Sequence, residues 1–239
     1  MPRYALLLLL TAFLTAQAAP ETEITAEPPH HLVLANDQVR VFNVDVPPQS
    51  ETLMHWHRHD YFYVVLGAAE IVNSIPGKDS VTLKLADGEV RFVSAPLAHI
   101  FRNLSPQPFR NVTIELLHDD KLRHSPAHPE PAHREPAQEE ERGLEILNGG
   151  TKEILFVKDG VRVSEFELQP GAVVPLHHHA GPHLVVALSD YELRSDVQGK
   201  PAKTIHAKRG EPTWAPGGYS HTLTNSGPTP AKFITLEFR

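Results

Sequence analysis

The chain has 239 residues, of which 41% are hydrophobic, 21% charged and 7% aromatic, and its formal net charge is −7. This composition excludes a chain that is disordered throughout. The acidic balance argues against a nucleic-acid partner, because phosphate binding needs clustered cations. The absence of cysteine excludes thiolate catalysis, cysteine-bound zinc, iron–sulfur clusters and disulfides. With 16 histidines, the chain is expected to carry out its chemistry through imidazole groups.

The first residues have the features of a secretory signal. Arg3 precedes a short apolar run over residues 5–14, and Ala16-Gln17-Ala18 fits a small-x-small cleavage site. A run of this length is shorter than the roughly 20 residues that a membrane-spanning helix needs. We therefore expect residues 1–18 to be removed, and the mature protein to be secreted or periplasmic and to have no membrane partner.

The sequence aligns with itself at a constant offset. A shift of 122 positions places His55 on His177, and the same register continues without insertion. Other aligned pairs are His57 with His179, Gly88 with Gly210, His99 with His221, Asn103 with Asn225 and Glu115 with Glu237. Because chance similarity does not hold one register over so long a stretch, we interpret the chain as two copies of one unit.

The segment between the two copies differs from both of them. Residues 119–142 are rich in proline, glutamate and histidine and contain almost no large apolar side chain. Such a segment cannot bury enough surface to offset its ordering entropy, so we predict a solvated linker with polyproline character. The predicted organisation is therefore a signal over 1–18, one domain over 30–118, the linker over 119–142 and a second domain over 143–239.

Each copy has the residue pattern of β-strands. Residues 39–46 and 161–168 alternate apolar and polar side chains, whereas 62–66 and 184–188 are continuous apolar runs typical of strands buried on both faces. Helical periodicity is nearly absent after the signal, so we predict an all-β fold with a sandwich or small barrel in each copy. A unit of this size is small for an independent core. The copies are therefore expected to pack on each other or on a second chain, as in a homodimer.

Histidines of the second copy are spaced as a metal site requires. His177 and His179 lie two residues apart and therefore on one face of a strand, while His178 points to the opposite face. His183 begins the next apolar run, and His221 comes a hairpin later. Four imidazoles that converge inside a barrel are costly to bury unless a divalent cation binds their lone pairs.

Two patterns of the second copy resemble the sequence motifs of the cupin family. The motif G-x5-P-x-G-x2-H-x3-N is matched throughout, by Gly210, Pro216, Gly218, His221 and Asn225. The motif G-x5-H-x-H-x3/4-E-x6-G is matched at Gly171, His177 and His179. The second copy departs from this motif where His183 stands in place of the glutamate, and it lacks the closing glycine.

The first copy matches the same motifs more loosely. It retains three histidines and two other motif residues, namely His55, His57, His99, Gly88 and Asn103. Gln49 replaces the opening glycine, while Ser94 and Pro96 replace the proline and glycine of the other motif. The position of the family's glutamate falls on Tyr61 or on Asp60, depending on the residue from which the spacing is counted.

The resemblance implies a bicupin, with a jelly-roll-like barrel in each copy and a metal ion inside the barrel. The residues that it carries over to the second site are His177, His179, His183 and His221. Those carried over to the first site are His55, His57 and His99, with Asp60, Tyr61 or His59 as candidates to complete it. Imidazole donors favour a divalent transition metal (Fe, Ni, Cu, Zn or Mn) over Mg or Ca, without selecting one.

The resemblance leaves three functions open. The leading one is an exported, metal-dependent, dioxygenase-like oxidoreductase that binds a small organic substrate, such as an enolate or a catecholate-like compound, at an open metal position. A metal-dependent isomerase or lyase would instead use the ion to polarise a carbonyl. The third is a binding module that holds a metal or a small ligand without turnover. The looser motifs of the first copy favour that role for at least one half.

Overall fold

The computed structural model describes residues 21–117 and 143–238 and is built from β-strands. The predicted signal over 1–18 and the predicted linker over 119–142 lie outside these residues. In the described part of the chain the only helical element is a single 3-10 turn, Ile24–Ala26, and no helix there is long and apolar enough to cross a membrane. The prediction of an all-β, jelly-roll-like fold is confirmed.

Ten strands of the first half form two five-stranded sheets. Their bounds are β1 Thr22–Glu23, β2 His30–Ala35, β3 Val39–Val46, β4 His55–His57, β5 Tyr61–Val65, β6 Ala69–Ser74, β7 Val81–Leu85, β8 Val90–Val93, β9 Leu97–Asn103 and β10 Phe109–Leu116. One sheet has the order β1-β4-β9-β6-β7 and the other the order β2-β3-β10-β5-β8. Apolar side chains of both sheets, such as Phe42 and Ile71, belong to one buried cluster, so the sheets enclose a common interior.

Eight strands of the second half form one strongly curled sheet. Their bounds are β11 Gly143–Lys158, β12 Val161–His179, β13 His183–Ala187, β14 Tyr191–Val197, β15 Lys203–Ala207, β16 Pro212–Ala215, β17 Tyr219–Asn225 and β18 Ala231–Phe238. The order is β15-β14-β17-β12-β18-β13-β16, with β11 also paired to β12. The first residues of β12 pair with β18 and its last residues with β17, so this long strand takes part in both layers.

A single hydrophobic cluster joins the two halves. Phe62 and Val64 of β5 pack in it together with Leu184 and Val186 of β13. The residues that alternate with them, such as Tyr63, belong to the interior of the barrel instead. Both faces of β5 are therefore buried, as its continuous apolar run predicts. The two halves pack on each other through this cluster.

The two halves approach each other closely at two glycines. A Cβ atom added at Gly88 would lie 3.1 Å from a methyl carbon of Leu188, and one added at Gly210 would lie 2.8 Å from a methyl carbon of Leu66. Both glycines have positive φ angles, 79° and 83°, which side chains disfavour. Backbone conformation and close approach therefore both favour glycine at these positions.

The shared cluster predicts that the two halves unfold together. Trp56 lies in the first half and Trp214 in the second, so the variants Trp214→Phe and Trp56→Phe each leave one fluorescent reporter. We expect both proteins to show the same denaturant transition. Leu236→Ala, within the cluster, should lower the free energy of unfolding by about 2–5 kcal/mol with either reporter.

Leu32→Ala is the matched control, because Leu32 is 53% exposed. Its free energy of unfolding should stay within about 0.5 kcal/mol of the parent value. Two separate transitions, or an effect of Leu236→Ala that only the Trp214 reporter detects, would contradict a shared core.

Candidate metal centres

The first half holds a group of histidines inside its barrel. His55 and His57 lie on β4, and His99 lies on β9 directly opposite His55. The Nε2 atoms of His55 and His99 are 3.1 Å apart, and the ring centroids of His57 and His99 are 5.1 Å apart. All three side chains are inaccessible to solvent. We call His55, His57 and His99 the first triad.

The second half brings together the corresponding histidines. His177 and His179 lie on β12, and His221 lies on β17 opposite His177. Their Nε2 atoms form a triangle with sides of 3.0, 3.1 and 3.2 Å. Three nitrogens bonded to one ion at about 2.1 Å are separated by roughly 3.0–3.4 Å. This group, the second triad, therefore has the dimensions of a divalent metal site.

Oxygen atoms lie beside the other ring nitrogen of each histidine. In the second triad the Nδ1 contacts are His177 with the Pro175 carbonyl (2.8 Å), His179 with Glu237 Oε1 (2.8 Å) and His221 with Ser195 Oγ (2.7 Å). In the first triad they are His55 with the Leu53 carbonyl (2.9 Å), His57 with Glu115 Oε1 (3.5 Å) and His99 with Asn73 Oδ1 (3.1 Å). An Nδ1–H group that faces an oxygen leaves the Nε2 lone pair available to a metal.

Burial favours the neutral form of five of these imidazoles. It lowers the pKa of His55 and of His221 to about 4, and it lowers the pKa of His177 as well. The pKa values of His57 and His99 fall well below the ordinary value for the same reason. Neutral imidazole is the form that binds metal, so both triads suit a divalent transition ion whose identity they leave open.

Two carboxylates beside the triads differ in their exposure to water. The Glu115 side chain is fully buried and lies 2.7 Å from Arg40, whereas the Glu237 side chain is 29% exposed. Burial raises the pKa of Glu115, while the hydrogen bond from His179 lowers the pKa of Glu237. The second triad therefore lies nearer to solvent than the first.

At the position of the cupin glutamate, both halves have a ring that stacks on a triad histidine. His183 lies flat against His179, with ring centroids 3.9 Å apart, and Tyr61 lies flat against His57 at 4.0 Å. The donor atoms of the second triad lie within 4.8 Å of one another, and His183 is outside this group. The structure thus places the candidate ligands His183 and Tyr61 beside the triads.

The remaining candidates have other neighbours. Asp60 is buried, and its Oδ1 atom accepts a hydrogen bond from the Ala95 amide at 2.6 Å. His59 lies near enough to Glu115 to influence its carboxylate. Among the described residues, the donor atoms of the first half that all lie within 4.8 Å of one another belong to His30, His55 and His57, and neither Asp60 nor His59 is among them. His99 joins this group through the 3.1 Å contact between its Nε2 atom and that of His55.

The first half contains a further buried histidine near the triad, which the sequence motifs do not predict. His30, on β2, is buried, and its donor atom forms a group with those of His55 and His57 in which all atoms lie within 4.8 Å. The offset of 122 places His30 on Lys152, so the internal alignment carries no signal for it. The neighbouring His31 is exposed.

A pocket leads to the second triad. Its volume is about 130 Å³, and its lining includes His177, His179, Lys152, Glu237, Ser164 and Thr235. Pockets for drug-sized ligands span roughly 300–1,000 Å³, so this one suits a smaller molecule. A larger hollow of about 310 Å³, which Tyr191 and His206 help to line, contains none of the clustered histidines.

Comparisons with known proteins identify the fold. No protein-family model and no curated protein sequence matches the chain. A structure of oxalate decarboxylase from Bacillus subtilis at pH 4.6 has a TM-score of 0.61 at 16% identity, over 84% of this chain and 68% of that chain. A structure from a study of the Mn(II) centres of the same enzyme has a TM-score of 0.61 at 15% identity, over 88% and 75%. This likeness supports the cupin-type fold that the motifs predict.

The buried histidines predict that acid destabilises the metal-free protein. An unfolded histidine has a pKa near 6.5, whereas burial lowers the pKa of His55 and His221 to about 4. Between these values the unfolded chain binds more protons, so the free energy of unfolding should fall as the pH drops from about 6.5 to about 4. Denaturant titrations at pH 5 and pH 7 measure this change, and equal stability at both values would contradict the assignment.

The second triad also predicts which of two adjacent histidines matters for metal binding. His179→Ala should lower the metal affinity of the second site at least about tenfold, because it removes a donor atom. His178→Ala is the matched control, since His178 is exposed and contacts Ser220 Oγ at 3.1 Å. Elemental analysis after dialysis against a weak chelator measures both, and equal metal loss from the two variants would rule out the triad as the site.

Proposed function

We propose that the chain is an exported bicupin metalloenzyme, a dioxygenase-like oxidoreductase whose second triad holds a divalent transition metal and acts on a small organic anion. The observation that carries this proposal is the pocket of about 130 Å³ that reaches His177 and His179. The first triad is buried, so the second triad, which the pocket reaches, is the better candidate for the catalytic site. Export is supported by Arg3, the apolar run over 5–14 and the cleavage-like Ala16-Gln17-Ala18.

Corresponding features of the two halves support a tandem duplication. β5 begins at Tyr61 and β13 at His183, while β8 begins at Val90 and β16 at Pro212, so the offset of 122 relates these strands as well. The offset also relates Glu115, beside the first triad, to Glu237, beside the second. Shared positions of strands and of ligand-orienting groups are what a duplicated barrel would retain.

The lining of the pocket suits an anionic substrate. Lys152 places an ammonium group in the wall, and its Nζ atom lies 3.5 Å from Glu145 Oε2. Ser164 and Thr235 add hydroxyl groups that can orient oxygen atoms of a ligand. Leu176, 63% exposed, also lines the pocket and offers contact to an apolar part of the substrate. A cation beside an apolar rim fits an enolate or a catecholate-like compound.

The side chains around the triad hold the ligands in place. Glu237 fixes the orientation of His179 through its hydrogen bond to Nδ1, and Ser195 does the same for His221. A metal bound at the three Nε2 atoms would supply a Lewis acid and a template for an oxygen-donor substrate. Lys152 would attract the substrate's negative charge to the same place.

A decarboxylating lyase is the second candidate. It is supported by the likeness in fold to oxalate decarboxylase, which is 16% identical. The small pocket also admits a short carboxylate. The two reactions differ in co-reactant and product, since a dioxygenase consumes O2 whereas a simple decarboxylation releases CO2 without net O2 consumption.

Activity measurements on metal-loaded protein test the proposal. We expect metal-dependent O2 uptake with a compound from a panel of enediols, flavonols, diketones and small carboxylates, and we expect His221→Ala to abolish it. CO2 release without O2 uptake would contradict the dioxygenase proposal and support the lyase. If the second triad bound one metal ion per chain but the protein converted no compound of the panel, the enzyme proposal would be wrong and the chain would be a binding module.

Lys152 provides a test of substrate charge. Lys152→Gln should raise the KM for an anionic substrate about tenfold or more and change kcat less, because the ammonium group acts mainly in binding. Lys203→Gln is the matched control, since Lys203 is exposed on β15 and is not part of the pocket lining. If both variants had the same KM as the parent, Lys152 would not contribute to anion binding.

A further inference from the structure

The chain segment over residues 22–30 of the first half, which we call the covering segment, is arranged differently from its counterpart over residues 144–152 of the second half. In the first half, β1 pairs in parallel with β4, and the 3-10 turn that follows buries Ile24, which is 1% exposed. The corresponding residue of the second half, Ile146, is 74% exposed on β11. The segment thus covers the first triad, whereas its counterpart leaves the second triad open.

The covering segment brings Glu27 and His30 to the first triad. Glu27 Oε1 accepts a hydrogen bond from the Leu53 amide at 3.0 Å, and Glu27 Oε2 lies 2.5 Å from His30 Nδ1. The side chains of His30 and Glu27 are only 3% and 1% exposed. Because the carboxylate occupies Nδ1, Nε2 is the nitrogen of His30 that remains to bind an ion.

The His30 ring lies among the rings of the first triad. Its centroid is 4.8 Å from that of His55 and 6.2 Å from that of His57. The donor atoms of these three residues lie within 4.8 Å of one another, and His99 Nε2 is 3.1 Å from His55 Nε2. Four imidazoles so close together in a buried space need a partner for their lone pairs, and a cation supplies it.

The second half has no equivalent of this arrangement. The offset of 122 places Gly149 on Glu27 and Lys152 on His30. Glycine has no carboxylate to orient a ligand, and a protonated lysine repels a metal ion instead of binding it. An imidazole at this position is therefore a feature of the first half, whereas the fourth histidine of the second half, His183, lies on β13 and stacks on His179.

We propose that His30 is the fourth protein ligand of a closed metal site formed with His55, His57 and His99, and that Glu27 positions it. Four imidazoles suit a divalent transition ion, and with the covering segment in place the ion is shut off from substrate. The site stabilises the first half and does no chemistry. This inference goes beyond the proposed activity, which belongs to the second triad, and it stands or falls independently of it.

Cobalt binding tests the role of His30. The parent for this experiment is the full chain with His177→Ala, which disables the second triad, and metal-free protein is titrated with Co²⁺ against a competing chelator. We expect one Co²⁺ per chain. His30→Asn should lower the affinity at least about tenfold and change the visible absorption spectrum, because the ion loses a donor. His31→Asn, the same substitution at the exposed neighbour, should leave both unchanged.

X-ray absorption spectroscopy of the Co²⁺-loaded parent counts the imidazoles without any change at His30. We expect four, and three after His30→Asn. Glu27→Gln should keep four imidazoles and weaken the affinity, as expected for a positioning residue. Three imidazoles in the parent, or an unchanged Co²⁺ affinity in His30→Asn that folds normally by circular dichroism, would overturn the proposal. A lack of enzymatic turnover would not alter this count, so the two proposals fail separately.

Discussion

The crowding of buried imidazole nitrogens is the constraint on which the rest of the structure depends. Each ring has two nitrogens, and a buried polar atom needs a partner. Oxygen atoms of the barrel wall take the Nδ1 side, whereas the Nε2 atoms of the second triad face one another at 3.0–3.2 Å. Paired antiparallel strands produce this arrangement, since they place His55 opposite His99 and His177 opposite His221.

Much of this arrangement can be predicted from the sequence, because the deciding rules are local. The side-chain alternation of a strand puts His177 and His179 on one face, and continuous apolar runs predict strands with both faces buried. His30 could not be predicted, since it lies outside both motifs and reaches the triad from β2, where it pairs with Val44 of β3 and its Nδ1 atom faces Glu27. Asp60 has a side chain that can bind a metal, but its carboxylate accepts a hydrogen bond from the Ala95 amide. The sequence motifs do not predict this hydrogen bond.

The two halves show how one scaffold supports different degrees of access. In both triads the Nδ1 atoms face oxygen atoms, yet burial raises the pKa of Glu115 whereas Glu237 keeps contact with water. The difference coincides with the chain segment that buries Ile24 in one half and leaves its counterpart Ile146 exposed in the other. A short stretch of chain thus accompanies the difference between a site suited to holding an ion and a site suited to binding a substrate.

The paired glycine contacts between the halves have a consequence for assembly. Leu188 meets Gly88 and Leu66 meets Gly210, so each half offers the same patch to the other, which is the isologous geometry of a two-fold dimer. Within one polypeptide the two halves thus pack with the geometry of a two-fold dimer. The face that each half presents to the other is already occupied, so it is not available to a second chain. Two separate polypeptides, 21–117 and 143–238, would carry complementary faces for reassociation.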